Sequence, residues 1–223
     1  MTTNEVINEL LEKPSYHPPK IGWGGWITVA CFTVVLAVII RTFFIQGFEI
    51  PSTSMLPTLK VGDHVLVSKF AFGFRFPFFP ERQFAGRDPQ IGDVVVFSRT
   101  AVEGEPTRYY IKRIAALPGD QVEVRASKTF VNGTEVAPRG RVGELVIQPL
   151  APEMPMPRDT SYVIQDREYF VLGDNRFNSE DSRFFGAITR DSIIGKGFLI
   201  YFSLYRANGT SKIRWERIGK GIE

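Results

Sequence analysis

Cysteine, histidine and blocks of like charge are all scarce in this 223-residue chain. Its one cysteine, Cys31, excludes an internal disulfide, an iron–sulfur cluster and a cysteine zinc site. His17 and His64 are the only histidines and no HExxH motif is present, so a zinc hydrolase is set aside as well. Lys and Arg number 27 against 24 Asp and Glu, a net charge of +3. These charges are spread along the chain, and no basic run marks a nucleic-acid partner. Neither a Gly-x-Ser-x-Gly elbow nor a Ser-x-x-Lys motif occurs. Any chemistry must then come from hydroxyls, amines and carboxylates, with no metal or cofactor. What the chain does have is apolar residues, 43% of the total, enough to bury a core in one domain or a little more.

Residues 21–40 carry no charge at all. Twenty residues at ~1.5 Å each reach ~30 Å, the thickness of a bilayer's hydrocarbon core. Trp23 and Trp26 stand at one end, and Phe43, Phe44 and Phe48 just past the other, as interfacial aromatics do. A buried soluble helix would carry polar residues at helical spacing, and none appear. A cleaved signal would end in small-x-small, whereas Arg41-Thr42-Phe43-Phe44 follows; a lipoprotein signal at Cys31 would not continue apolar well beyond the cysteine. The reading is a retained anchor over 21–44 behind a tail, 1–20. Lys13 and Lys20 before the span and Arg41 after it lean toward a cytoplasmic tail, with about 180 residues on the extracytoplasmic side.

Beyond the anchor the pattern is mainly β. Short β-branched or aromatic runs at 63–67, 93–97, 109–111, 122–124 and 169–172 are punctuated by Gly, Pro, Asp or Asn. Residues 130–136 read as a hairpin through Asn132-Gly133, which also forms a glycosylation sequon, as does Asn208-Gly209-Thr210; the turn reading is preferred. Five prolines in 137–160 (Pro138, Pro149, Pro152, Pro155, Pro157) read as a loop. No helix–strand alternation suggests a parallel sheet, so the expectation is antiparallel. Phe70, Phe72, Phe74, Phe76 and Phe78 recur at period two, which in an extended segment puts all five on one face, either under the core or in the membrane interface.

Three clusters offer chemistry. Pro51-Ser52-Thr53-Ser54-Met55-Leu56-Pro57 packs hydroxyls between prolines, which by itself is most often a turn. A serine nucleophile needs a base, and His64 lies ten residues on in a predicted strand. A lysine is the other choice, provided burial lowers its pKa from ~10.4 by several units. Lys112 shares a strand face with Tyr110 and Ile114, the surroundings such a lysine needs, although a lysine snorkelling from a sheet edge fits the spacing too. Finally, residues 173–186 (GDNRFNSEDSRFFG) are either a polar turn or a buried network in which Ser179, Asp181 and Arg183 fix an amine.

Taken together and in order, 51–59 (PSTSMLPTL), 92–97 (GDVVVF), Ile111-Lys112-Arg113 with Leu117-Pro118-Gly119-Asp120, and Gly173-Asp174-Asn175-Arg176 through Asp181-Ser182-Arg183 resemble the bacterial type I signal (leader) peptidases. The resemblance runs from 48 to about 202, behind a span placed where that family has one. It implies an antiparallel β catalytic domain of the signal-peptidase type behind one transmembrane helix. It also implies a membrane-anchored serine endopeptidase that cleaves signal peptides from exported preproteins after Ala-x-Ala sites, through an acyl-enzyme. Ser54 matches the nucleophile and Lys112 the general base. Ser52 matches a side-chain oxyanion donor acting with the Ser54 N–H. Ser179 matches the hydroxyl that positions the lysine, Asp181 and Arg183 a supporting ion pair, and Asp174 lies in the same box. Phe48, Ile50, Pro51 and Ile111 match the walls of two shallow pockets for small side chains.

The implied partners are preprotein signal peptides, the lipid bilayer and the protein-export machinery, in a plasma (inner) or thylakoid membrane; no cofactor is implied. One span departs from the two-span members and resembles the shorter forms of Gram-positive bacteria, cyanobacteria and plastids. On this reading the catalytic domain comprises 45–120 and 169–223, and 121–168 is a reduced β insertion with the proline-rich loop. Three rivals stand beside it: a silent anchored β module, a serine–lysine protease with one dedicated substrate, and a Ser–His hydrolase using His64.

Overall fold

A computed structural model of the chain describes residues 22–76, 79–84, 86–100, 106–125, 128–139, 157–207 and 209–223. The predicted tail with His17, Lys13 and Lys20, most of the proline-rich loop (Pro149, Pro152, Pro155), Phe78 and Asn208 lie outside the described residues. The chain falls into two units, Met1–Ile39 and Ile40–Glu223.

The first unit holds most of helix α1 (Trp23–Phe43), which coincides with the predicted span to within two residues. Phe32, Val34 and Ile27 are exposed along it, and the helix is long and apolar enough to cross a membrane. Thr28 and Thr33 donate their hydroxyls to the Gly24 and Val29 carbonyls at 3.0 and 2.8 Å, so these polar side chains are satisfied within the helix.

The second unit is built from antiparallel sheets. The largest has eight strands: β1 (Ile45–Glu49), β2 (Asp63–Ser68), β5 (Val94–Arg99), β6 (Arg108–Ala116), β11 (Glu168–Leu172), β12 (Ile188–Thr189), β13 (Ile193–Ala207) and β14 (Thr210–Ile213). Its order is β1-β2-β13-β5-β6-β11-β12, with β14 on the end of β13. A four-stranded sheet combines β7 (Gln121–Arg125), β8 (Lys128–Val131), β9 (Thr134–Glu135) and β10 (Thr160–Val163); β3 (Phe74–Phe76) and β4 (Phe79–Phe84) form a separate hairpin. Asn132 (φ 50) and Gly133 (φ 80) make the predicted hairpin turn between β8 and β9, a pair of positive φ angles that Asn-Gly tolerates best.

Strand β5 explains the core. It lies between β13 and β6 with both faces covered, so Val94, Val95, Val96 and Phe97 are all buried and the strand is a continuous apolar run rather than an alternation. Val94 and Val96 pack with Met55, Leu59 and Ile200, while Val95 and Phe97 pack with Ile114 and Val171 on the other face. A third cluster, including Val122, Val124, Phe170 and Leu172, joins the small sheet to the large one.

One expectation is corrected. Phe70 and Phe72 do not share a face: Phe70 is 47% exposed and Phe72 only 3%. They lie in a turn closed by the Gly73 N–H donating to the Phe70 carbonyl at 3.0 Å, where period-two alternation does not apply. Phe72 is instead capped by the guanidinium groups of Arg87 and Arg190, each 5.6 Å from its ring centre.

Because Phe97 is fully buried and stacks on Tyr110 at 5.7 Å, Phe97→Ala should destabilise the protein by ~3–5 kcal/mol. Urea denaturation of the full chain in detergent checks this; a loss below ~1 kcal/mol would contradict the two-faced burial of β5.

Candidate active site

The loop from Ile50 to Gly62 connects β1 to β2 and is closed by two backbone bonds, Ile50 N–H to the Asp63 carbonyl and Gly62 N–H to the Ile50 carbonyl. Met55 and Leu59 are fully buried and, four residues apart, pin the loop to the core. Ser54, next to Met55, is drawn inside with it, while Ser52 stays exposed. The two hydroxyls lie 3.2 Å apart.

Lys112 approaches from β6. Strand alternation puts it on the face of Tyr110 and Ile114, both in the Phe97 cluster, and leaves it 4% exposed. Its Nζ donates to Ser54 Oγ at 2.8 Å. Burial is the dominant influence on this amine and pulls its pKa down to about 8; the charges of Asp181, Glu180 and Asp174 act in the opposite direction, and Arg183 adds to the lowering. His64 is elsewhere engaged, its ring packed against Tyr201 and Phe202 at 5.8 and 5.5 Å.

Arg113, on the opposite face of β6, forms a two-pronged ion pair with Asp174 at 2.8 and 2.7 Å. The Thr58 hydroxyl donates to the same carboxylate at 2.5 Å. Asp181 caps the short helix α2 (Ser182–Phe185), pairs with Arg183 at 2.8 Å and accepts the Gly173 N–H at 3.0 Å. Both pairs are buried. Two asparagines complete the frame: the Asn175 N–H donates to the Ser54 carbonyl at 3.0 Å, and Asn178 Nδ2 donates to Thr53 Oγ1 at 2.7 Å.

Ser179 is buried beside this cluster. A Cβ on Gly173 would come within 2.2 Å of Ser179 Oγ and 2.6 Å of the Ser54 carbonyl oxygen, so only glycine admits the close approach. The Ser179 hydroxyl makes no hydrogen bond among the described residues. Of the predicted pocket walls, Ile50 is buried in the Met55 cluster with Phe48 and Ile111 packed against it, and Pro51 is exposed. Tyr109 adds a ring edge-on to Phe48 at 5.6 Å. Arg113, Thr58, Asn175, Asn178 and Gly173 were not predicted as site residues. The first four reach Asp174, Ser54 and Thr53 across at least 61 residues of chain, which no local pattern reveals.

A family model described as signal peptidase, peptidase S26, matches residues 23–202. The chain belongs to the signal peptidase family. It is 33% identical to a signal peptidase I of Pseudomonas aeruginosa, over 97% of this chain and 84% of that protein. It is 32% identical to thylakoidal processing peptidase 1 of Arabidopsis thaliana, over 85% of this chain and 54% of that one. A solved signal peptidase I from Enterococcus faecalis is 26% identical and covers 49% of this chain and 97% of its own, with a TM-score of 0.36. The superposition is loose, and the assignment rests on the sequence matches. As a member of the signal peptidase family the chain is a serine peptidase, and helix α1 fits membrane anchoring.

The lowered pKa of Lys112 carries a stability consequence. The unfolded chain holds this proton with an ordinary pKa of 10.5 and the folded chain with one of about 8, so the deficit is complete below pH 8 and disappears as pH rises from 8 to 10.5. That deficit is about 3 kcal/mol. Lys112→Met also loses the Ser54 hydrogen bond, worth about 1 kcal/mol, and should therefore stabilise the protein by about 2 kcal/mol at pH 7. Thermal melts should show the gain shrinking between pH 8 and 10.5; a pH-independent difference would contradict the burial of a lysine that changes charge.

Proposed function

We propose that this signal peptidase cuts exported preproteins at Ala-x-Ala sites with Ser54 as nucleophile and Lys112 as general base. The observation that carries the reading is the 2.8 Å contact between the Lys112 amine and Ser54 Oγ in a site closed to solvent. A protonated lysine donates in that contact. Once neutral, it accepts the Ser54 proton instead, and a pKa of about 8 makes the neutral form accessible near physiological pH.

In the proposed sequence, Ser54 Oγ passes its proton to Lys112 Nζ and attacks the scissile carbonyl carbon. The resulting oxyanion is held by the Ser52 hydroxyl and the Ser54 N–H, and a donor of this kind lowers the barrier by ~3–4 kcal/mol. The 3.2 Å separation of the two serine hydroxyls is compatible with that role. Collapse breaks the C–N bond, and the departing amine of the mature protein takes the proton from Lys112. The signal peptide remains esterified to Ser54. Water then gives a proton to Lys112 and attacks the ester, and that proton returns to Ser54 Oγ as the signal peptide leaves.

Substrate binding follows from sheet topology. β6 pairs with β5 along 108–113, but with β11 only from Arg113 onward, so residues 108–112 have one edge free of named strands beside Lys112. An extended peptide adds there as a further strand, its small side chains directed toward Phe48, Ile50 and Ile111. Helix α1 holds this unit at the extracytoplasmic surface of the membrane, where a translocating signal peptide emerges, and confinement to that layer raises the effective concentration of enzyme and substrate. In the supporting frame, Asp181–Arg183 and Asp174–Arg113 fix the backbone around the two reacting side chains, and Ser179 is buried against Gly173.

The test is cleavage of an Ala-x-Ala preprotein in detergent micelles by wild type, Ser54→Ala, Lys112→Ala and His64→Ala. Product from wild type and His64→Ala alone is the expected result, with losses of at least ~10³-fold in the other two. The rate should rise with pH through about 8, because Lys112 must be neutral to accept the proton. Activity surviving Lys112→Ala, or a rate flat from below pH 7 to above pH 9, would overturn the lysine base. Inactivity of all four proteins would favour a silent module or a dedicated substrate.

A further inference from the structure

The family model ends at residue 202, and the chain beyond it is tied into the loop that carries Ser54. Along β13, residues 193–196 pair with β5 and residues 204–207 with β14. The stretch between them receives the C-terminal tail: Gly219 N–H donates to the Ile200 carbonyl, Ile200 N–H to the Lys220 carbonyl and Ile222 N–H to the Phe198 carbonyl, at 2.8, 2.9 and 3.0 Å. Ile222 enters the same cluster as Met55 and Leu59.

The tie converges on Asp63, the first residue after the loop, which is 0% exposed. Its carboxylate receives Arg217 Nε at 3.0 Å on both oxygens, Arg217 Nη2 at 2.5 Å, Ser203 Oγ at 2.7 Å, Arg214 Nη2 at 3.3 Å and the Lys60 N–H at 2.8 Å. The same arginines reach past Asp63 into the loop, Arg217 Nη2 to the Thr58 carbonyl at 2.9 Å and Arg214 Nη2 to the Val61 carbonyl at 2.6 Å. Leu204 N–H donates to the Gly62 carbonyl, and a Cβ on Gly62 would lie 1.9 Å from the Leu204 carbonyl oxygen. Thr58 is therefore held from two sides, its carbonyl by Arg217 and its hydroxyl by Asp174, which is itself paired with Arg113 next to Lys112.

We infer that the chain beyond residue 202 sets the position of the nucleophile loop, with Arg217 as a positioning residue for the reaction at Ser54 acting through Thr58. This rests on the signal-peptidase reading of the site. The side-chain hydrogen bonds of Arg217 go to Asp63 and Thr58, none to Ser54 or Lys112, so its effect is on placement. Placement matters steeply, since a shift of ~1 Å can cost ~10²-fold in rate. A loosened loop also uncovers the Lys112 amine, whose burial is the main cause of its lowered pKa.

The experiment compares wild type with Arg217→Met, Arg217→Lys and the control Arg167→Gln, which breaks an exposed pair with Asp191. The full chain is assayed in detergent on an Ala-x-Ala preprotein, with folded fraction followed by circular dichroism. Arg217→Met should lower kcat by about ten- to a hundredfold beyond any loss of folded protein. It should also move the acid limb of the pH–rate profile upward, by about half a unit or more, as water reaches Lys112. The charged groups facing that amine, Asp181, Glu180, Asp174 and Arg183, are the same in both proteins. Arg217→Lys should recover part of the rate, and Arg167→Gln should match wild type. If Arg217→Met does not fold because Asp63 loses its main counter-ion, Asp63→Asn with Arg217→Met removes the buried charge and takes its place. Rates that only follow the folded fraction, with the acid limb unmoved, would overturn the inference while leaving the signal-peptidase reading intact. A wild type that does not cleave, or that cleaves despite Ser54→Ala, would overturn both.

Discussion

Keeping the amine of Lys112 out of water is the constraint on which the rest of the site depends. In water a lysine is almost wholly protonated at neutral pH and has no lone pair to accept a proton. Only desolvation opposes protonation strongly enough here, and the surrounding structure supplies it: two strand neighbours in a packed cluster on one side, and the Ser54 loop on the other. The loop itself stays put because Met55 and Leu59, joined by one turn in which the Leu59 N–H donates to the Met55 carbonyl, are both sunk into the core.

Carboxylates near such an amine are a hazard, since each one favours the ammonium form. Asp174 and Asp181 both act on Lys112 in that direction. Each is matched by an arginine, Arg113 and Arg183, in buried pairs at 2.7 and 2.8 Å. The always-charged guanidinium of Arg183 counters part of the Asp181 charge at Lys112, and the Asp181 oxygens still hold backbone by accepting the Gly173 N–H. Such pairs contribute little net stability, because desolvation offsets their attraction, but they fix geometry. The same device recurs at Asp63, where burial works to raise the carboxyl's pKa and hydrogen bonds from Arg217, the Lys60 N–H and Ser203 outweigh it, holding the carboxyl below its ordinary value. In the proposed mechanism these frames keep a costly, partly desolvated site from relaxing into a more stable and inactive arrangement.

Much of this was legible from residues alone, for identifiable reasons. The uncharged stretch before Arg41 marked helix α1, and period-two alternation placed Lys112 with Tyr110 and Ile114. Asn132-Gly133 marked its hairpin because few other pairs tolerate two positive φ angles. Strand β13 escaped notice although it is the longest described strand, with three neighbours and a tail. Its pairings slip between Ile193 and Gly195, Gly197 and Leu199, and Ile200 and Phe202, and each bulge resets the alternation on which a strand is read. Gly195 looks like a breaker but sits where a Cβ would lie 2.4 Å from the Ser68 carbonyl oxygen, a close approach that only the folded sheet defines. The partners of Asp63 and Asp174 were hidden for the same reason, being set by topology rather than by spacing along the chain.

Titrating the Lys112 amine shows whether a lysine beside Ser54 in this fold loses its proton near pH 8. Heteronuclear NMR of lysine labelled at Nζ and Cε, with Lys112 assigned by its absence in Lys112→Met, follows each side chain from pH 6 to 11 without reference to substrate. Lys112 is expected to titrate apart from the surface lysines, with a midpoint near 8. A midpoint near 10.5, in step with the exposed lysines, would mean that the amine stays charged where the enzyme works, and would contradict the mechanism at its first step.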